Sequence, residues 1–101
     1  MEPISIIVWL LLGAGIASVV VLTMKEVLDW FRARNRLLQS DRANVAKTIV
    51  ESLNNGNYKV VQGVFNTRSS RMLESRTLEA AHLDSELARL HNGRREVIHI
   101  L

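Results

Sequence analysis

The residues best suited to metal binding or acid–base chemistry are three histidines, His82, His91 and His99. No two of them are three or four residues apart, so one face of a helix cannot present a pair of them to a metal ion. The chain has no cysteine, and a zinc site would therefore need carboxylates from separate elements. The spacing predicts no metal site and indicates polar or surface histidines.

The sequence also contains no recognisable motif for a catalytic nucleophile or for a phosphate-binding loop. No serine stands in a GxSxG turn or beside a paired histidine and aspartate. Gly63 is isolated in an apolar segment, which indicates a bulge or a close approach of the backbone rather than a phosphate loop. Paired carboxylates are one interpretation of the acidic residues in the second half, and a solvated polar face explains them as well: Glu74, Glu79, Asp84 and Glu86. We therefore predict no catalytic residue and no cofactor, and hence a non-enzymatic protein.

Arginines in the predicted loops are the remaining groups with a specific chemistry. Arg68 and Arg71 flank one loop, and Arg94 and Arg95 precede the last apolar segment. A guanidinium group binds phosphate in a bidentate manner, so either pair could hold a phosphate-bearing ligand or a lipid headgroup. Loop arginines paired with nearby acids are the simpler interpretation. The formal net charge of +3 is too small to indicate nucleic acid.

The most conspicuous element is the uncharged stretch of residues 4–24. As a helix it would be about 31 Å long, which matches the hydrocarbon core of a bilayer. No basic residue precedes it and no cleavage site follows it, so a signal peptide is disfavoured. Residues 1–24 are therefore predicted to be a transmembrane anchor, with the lipid membrane as a partner.

The charges on either side of this stretch predict its orientation. Glu2 is the only charged side chain before it, whereas Lys25 and three arginines follow within a dozen residues. Basic flanks remain in the cytoplasm. We therefore expect a single-pass protein with its amino terminus outside and its remaining chain in the cytoplasm.

Small residues within the same stretch predict a surface for packing against another membrane helix. Gly13 and Ala17 are four residues apart, as are Ala14 and Ser18. Small residues at this spacing allow two helix backbones to approach closely. The alternative is that glycine and alanine are simply common in membrane helices.

Residues 25–39 are predicted to extend the anchor as a basic juxtamembrane helix, because they contain no glycine or proline. Aromatic rings beside cations are typical of a segment at the lipid headgroups. The alternative is a solvated stalk. The predicted lipid-interface residues are Lys25, Trp30, Phe31, Arg32, Arg34 and Arg36.

Residues 40–101 are predicted to form one small cytoplasmic α+β domain with the order α-β-β-α-β. The polar run at residues 54–57 and the loop at residues 66–70 separate its first elements. A right-handed crossover would give a three-stranded sheet of order 2-1-3. The predicted elements are a helix at residues 42–54, strands at 58–65 and 72–78, a helix at 83–90 capped near Asp84, and a strand at 96–101.

The predicted sheet is apolar on both faces, and two short helices cannot cover both. We therefore predict self-association, as a homo-oligomer or within a larger membrane complex, through Val61, Phe65, Val97 and Leu101. The preferred function is a membrane anchor, adaptor or small subunit of a complex. The alternatives are an oligomeric pore or membrane-perturbing effector, and a membrane-anchored sensor of a phosphate-bearing ligand.

Overall fold

One five-stranded sheet with three helices on one of its faces makes up the computed structural model over the residues it describes, 17–92 and 94–100. The strands are β1 (Ala17–Leu22), β2 (Asn44–Ser52), β3 (Tyr58–Asn66), β4 (Arg71–Leu83) and β5 (Glu96–His99). The helices are α1 (Met24–Arg32), α2 (Asn35–Gln39) and α3 (Ser85–Leu90).

The strand order is β1-β4-β3-β2-β5. β1 runs parallel to β4, and every other neighbouring pair is antiparallel. β3 is central because its apolar and β-branched residues suit a strand buried on both sides. Val60, for example, is fully buried and lies between Val50 of β2 and Leu78 of β4. The predicted strand at residues 58–65 is therefore confirmed.

The predicted membrane span is wrong where the structure describes it. Residues 17–22 form strand β1, which pairs with β4 in the register Ala17↔Leu78 to Leu22↔Leu83. Three consecutive valines favour an extended strand, and a parallel neighbour satisfies their backbone groups without a helix. Leu22 is fully buried in the protein core.

No helix among residues 17–92 and 94–100 is long and apolar enough to cross a membrane. The single-pass topology, with the amino terminus outside and a cytoplasmic domain, is therefore wrong as predicted. The pore hypothesis assumed the same span, and the structure does not test it as a function. Gly13 and Ala14 lie outside the described residues. Ala17 and Ser18, their predicted partners, lie on β1 rather than on a membrane helix.

The helix predicted at residues 42–54 is also wrong, because Asn44–Ser52 is strand β2. Val45 and Ile49 fit a helical stripe, but they also fit the alternation of a strand. β3 pairs with one side of β2 and β5 with the other. Two flanking ladders supply the backbone hydrogen bonds that a helix would have made internally. The polar run after β2 is a turn between antiparallel strands, in which Gly56 has φ +86°.

The predicted 2-1-3 order fails for the same reason, since β2 lies between β3 and β5. Other local predictions are confirmed. Residues 66–70 connect β3 to β4, α3 follows its cap Asp84, and β5 begins at Glu96. The Asp84 carboxylate accepts a hydrogen bond from the backbone N–H of Leu87 at 2.8 Å, as an N-cap does.

The main core lies between the helices and one face of the sheet. Val27 and Phe31 of α1 and Leu87 of α3 are fully buried in one cluster with Leu22 and Val60. Burying each such side chain stabilises the fold by roughly 1.5–3 kcal/mol. The helices thus share one face, which we call the helical face.

The opposite face of the sheet is apolar and well buried too. Ile49, Val61 and Phe65 are 1%, 2% and 6% exposed. The ammonium group of Lys47 lies 4.8 Å from the centroid of the Phe65 ring. A methyl group added to Gly63 would contact the end of the Met72 side chain. The expected close approach at Gly63 is therefore present.

Candidate interaction surface

The outer edge of β1 is an uncharged and exposed apolar element of the described chain. β1 pairs with β4 on one side and is the first strand of the described sheet. Its sequence, ASVVVL, contains no charge and no proline. Val20 is 73% and Val21 is 43% exposed. Edge strands of stable proteins usually carry a charge, a proline or a bulge that prevents pairing with another strand. β1 has none of these features.

The other edge, β5, is better protected against pairing. It has four residues and contains the charged Glu96. The guanidinium of Arg95 forms an ion pair with Glu51 beside the start of this strand. Ile98 and Ile100 are nevertheless 53% and 99% exposed. Short length and nearby charges make β5 the weaker template for strand addition.

A polar network joins α1 to the centre of the sheet. Gln62 of β3 is fully buried, and its amide nitrogen donates to the Val27 carbonyl at 3.0 Å. Its amide oxygen accepts from Nε of Arg76 on β4 at 2.7 Å. A buried amide needs both partners, because an unpaired one costs about 1–3 kcal/mol. The network therefore fixes the position of α1 on the helical face.

Two arginines enclose the indole of Trp30 at the surface end of this network. The guanidinium carbon of Arg34 lies 3.8 Å from the Trp30 ring centroid, and that of Arg76 lies 5.6 Å away. Arg34 also donates to a carboxylate oxygen of Glu74 at 2.9 Å. Burial, and then the neighbouring Arg34 charge, lower the pKa of Arg76. These contacts give Trp30, Arg34 and Arg76 a structural role on the surface of the domain.

The other residues predicted to contact lipid lie in different environments. Phe31 is fully buried in the core. Lys25 and Arg32 form exposed ion pairs with Asp29 at 2.7 and 3.4 Å. The hydrogen bond from Lys25 has the larger effect and that from Arg32 a smaller one, and both lower the pKa of the Asp29 carboxyl group. Arg36 is exposed on α2. The structure therefore does not gather the six predicted residues into one surface.

The residues predicted for self-association are likewise separated. Val61 and Phe65 share the face opposite the helices and are nearly buried. Val97 is opposite Thr48, on the helical face, and is 8% exposed. Leu101 lies outside the described residues. Most of the exposed large apolar residues lie instead on or beside the edge strands β1 and β5, and Leu73 lies on β4.

Two of the histidines lie in the interior near the carboxyl end of the chain. Nε2 of His99 lies 2.7 Å from the Thr48 hydroxyl oxygen, and its ring centroid is 5.3 Å from that of Phe31. Burial, and then the nearby His91, lower the pKa of His99 to about 4. Burial also lowers the pKa of His91, against a smaller opposing effect of the Arg94 carbonyl. His82 is exposed.

The predicted loop arginines divide into paired and unpaired groups. Arg68 forms an ion pair with Asp41, and Arg95 with Glu51. Arg94 lines a surface cavity of about 670 Å³ together with Arg89 of α3. Within the described chain neither Arg89 nor Arg94 forms an ion pair. Glu86, Met24, Leu90 and Asn92 complete the lining of this cavity.

Sequence reasoning missed the residues that tie the elements together. Asp84 was predicted to cap α3, but its second carboxylate oxygen also accepts from the Met24 backbone N–H at 2.9 Å. Gln62, an isolated polar residue inside an apolar strand, was a signal that could have indicated a buried hydrogen-bonding role. The partner in each case is distant in sequence, so spacing alone could not identify it.

Comparison of the chain with family models, with curated proteins and with solved structures finds no match.

Proposed function

We propose that this chain is a non-enzymatic protein-interaction module, acting as an adaptor or as a small subunit of a larger assembly. It binds its partner by strand addition, in which a strand of the partner pairs with the outer edge of β1. The observation that carries the proposal is the uncharged edge Ala17–Leu22, with Val20 73% exposed. Strand addition supplies affinity through main-chain hydrogen bonds and specificity through alternate side chains.

The rest of the fold holds this edge in place. β1 is paired along its inner side with β4, and the backbone N–H of Asp84 donates to the Leu22 carbonyl at 3.0 Å. The burial of Leu22 fixes the end of the strand in the core. A strand held in this way presents its outer backbone groups without further ordering, which lowers the entropic cost of binding.

Photo-crosslinking in the native cell tests the proposal directly. A benzophenone amino acid replaces Val20 in the full chain, and a second variant carries it at Ala88, an exposed position on α3. We expect covalent adducts of defined mass from position 20 that are absent from position 88. Mass spectrometry of the adducts identifies the partner residues. Adducts that are the same at both positions, or none at position 20, would contradict strand addition at β1.

A second candidate function is the binding of a phosphate-bearing ligand. It is favoured by the cavity at the end of α3, where Arg89 and Arg94 approach without a described ion-pair partner. Two guanidinium groups at one cavity suit a phosphate group. Phosphate should raise the melting temperature of the full chain, and Arg94→Ala should abolish that increase. Arg42→Ala, at an exposed position remote from this cavity in sequence, is the control. An equal increase in all three proteins would reject this candidate.

A further inference from the structure

The sheet face opposite the helices is buried, although no described element covers it. All three helices lie on the helical face, and the other residues of 17–92 and 94–100 are strands or the connections between elements. We propose that residues 4–16 of the same chain, which lie outside the described residues, cover this face. The inference concerns a different surface from the outer edge of β1 and does not depend on strand addition there.

Two lysines give the clearest evidence of a cover. Lys47 of β2 and Lys59 of β3 alternate with residues of the helical face, so both lie on the opposite face, and they are only 7% and 4% exposed. A side chain on a sheet stands roughly perpendicular to it, so neighbouring strands shield its sides but not its outer end. A lysine on an uncovered face would be largely exposed. The burial of both lysines therefore requires chain above the sheet.

A threonine on the next strand indicates the same cover. Thr77 of β4 is opposite Val61 in the β3–β4 register, so it lies on this face, and it is 5% exposed. Its hydroxyl oxygen is shielded from solvent and has no hydrogen-bond partner in the described chain. On an uncovered face this hydroxyl would be hydrated. The cover therefore extends over β4 and packs closely enough to exclude water.

The buried area has the dimensions of one helix-sized segment. It extends across β2, β3 and β4, which is about 10 Å at two strand spacings, and along β3 from Lys59 to Phe65, which is about 20 Å. The same face is open at both edges, since Val20 of β1 is 73% and Ile98 of β5 is 53% exposed. A helix is about 10 Å wide with its side chains. One segment along the central strands therefore explains both the buried centre and the exposed edges.

Residues 4–16 have the composition, length and attachment point that this cover needs. They read ISIIVWLLLGAGI and contain no charge, and as a helix they would be up to about 20 Å long. They end at Ala17, which is opposite Leu78 of β4 and thus one residue from the buried Thr77. β3 is about 10 Å from β1, a distance that three or four residues span. Because the segment is attached at the edge of this face, its effective concentration there greatly exceeds that of a separate chain.

The two buried lysines are compatible with an apolar cover. A lysine can bury its apolar stem while its ammonium group stays near polar or aromatic groups at the boundary. The ammonium group of Lys47 lies 4.8 Å from the centroid of the Phe65 ring, at a distance suited to a cation–π contact. Lys59 is opposite Glu51 of β2 and Glu79 of β4 in the strand register. The cover thus needs no charge of its own.

Photo-crosslinking within the full chain tests the assignment. A benzophenone amino acid replaces Trp9, Leu10 or Leu11 in three variants, because three consecutive positions sample every side of a helix or strand. At least one position should give an intrachain adduct with β2, β3 or β4, on the face that contains Ile49 and Val61. A mixture of isotopically light and heavy chains distinguishes these adducts from adducts between copies. Adducts only with a second copy, with lipid or with the helices, or no adduct from any position, would overturn the proposal.

Thiol labelling tests the cover without photochemistry, because the chain contains no cysteine. In the full chain, Lys59→Cys should react with a maleimide at least roughly tenfold more slowly than Val20→Cys, since a buried thiol is unreactive. Adding Leu10→Glu and Leu11→Glu should remove this protection, whereas Leu10→Met and Leu11→Met should preserve it. Equal rates at positions 59 and 20, or protection that survives the two glutamates, would overturn the proposal.

Ala80→Cys shows whether the chain with the two glutamates remains folded, because Ala80 is fully buried in the core on the helical face. Protection at position 80 together with labelling at position 59 would support local removal of the cover. Labelling at both positions would mean that the glutamates unfold the whole chain. The crosslinks of the three benzophenone variants, which retain the apolar segment, then decide which face residues 4–16 contact.

Discussion

Acidification should destabilise this protein through His99, whose imidazole is neutral in the folded state. The ring lies between the Thr48 hydroxyl and the Phe31 ring, where burial disfavours its charged form. The pKa of His99 is lowered from 6.5 to about 4. The unfolded chain therefore binds a proton more readily than the folded chain, and stability falls as the pH falls from about 6.5 to about 4.

The size of the effect follows from the lowered pKa. One pKa unit corresponds to about 1.4 kcal/mol, so the difference between 6.5 and about 4 sets an upper limit of roughly 3 kcal/mol. The imidazole is only partly buried, and solvent screening reduces the expected loss to about 1–2 kcal/mol. With a urea m-value of about 1–2 kcal/mol/M, the unfolding midpoint should fall by about 1 M.

Urea unfolding at pH 7 and pH 4.5, compared between wild type and His99→Gln, is the assay. Glutamine is neutral throughout this range, so the variant should lose about 1–2 kcal/mol less than wild type. Acid effects on the carboxylates are common to both proteins and cancel in the difference, whereas the charge coupling between His91 and His99 is part of the measured difference. His82→Gln, at an exposed position, should behave as wild type. Equal losses in wild type and His99→Gln would refute the reasoning, as would a His99 pKa near 6.5 by NMR titration.

Three further predictions concern contacts between distant elements, each measured as the free energy of unfolding. Gln62→Leu removes both hydrogen bonds of a fully buried amide and should cost about 1–3 kcal/mol; a neutral result would show that the network contributes nothing. Gly63→Ala should cost less than about 1 kcal/mol, because its Cβ would meet the flexible end of the Met72 side chain, which can shift aside. Met72→Ala should remove most of that additional cost, and simple additivity would contradict the clash. Asp84→Ala loses the α3 cap and the bond to the Met24 N–H and should cost more than the ~1 kcal/mol typical of a cap alone. Asp84→Asn should be intermediate, because its single carbonyl oxygen can accept from only one of the two backbone N–H groups and its NH2 group cannot accept from the other.

Local sequence determined those elements whose signals are complete within a few residues. Strand β3 is a run of β-branched and aromatic residues between turn residues, and the structure has it at Tyr58–Asn66. Asp84 caps α3 because its side chain needs only the backbone N–H three residues further on. The hairpin between β3 and β4 follows from polar residues between two strands. In each case the physical cause is short-range, so one sequence is enough to identify it.

Tertiary pairing decided the elements whose sequence fits more than one structure. The valines of residues 17–22 suit a membrane helix or a strand, and the parallel ladder with β4 selects the strand. Val45 and Ile49 fit both periods, and β2 is a strand because β3 and β5 satisfy its backbone on either side. β4 lies far along the chain from β1, and β5 lies far from β2, whereas β3 follows β2 directly through a turn. The order of the strands decided which side of β1 the described residues leave unpaired, and hence the proposed interaction surface. Hydrophobic periodicity contains no information about which neighbour a strand will have.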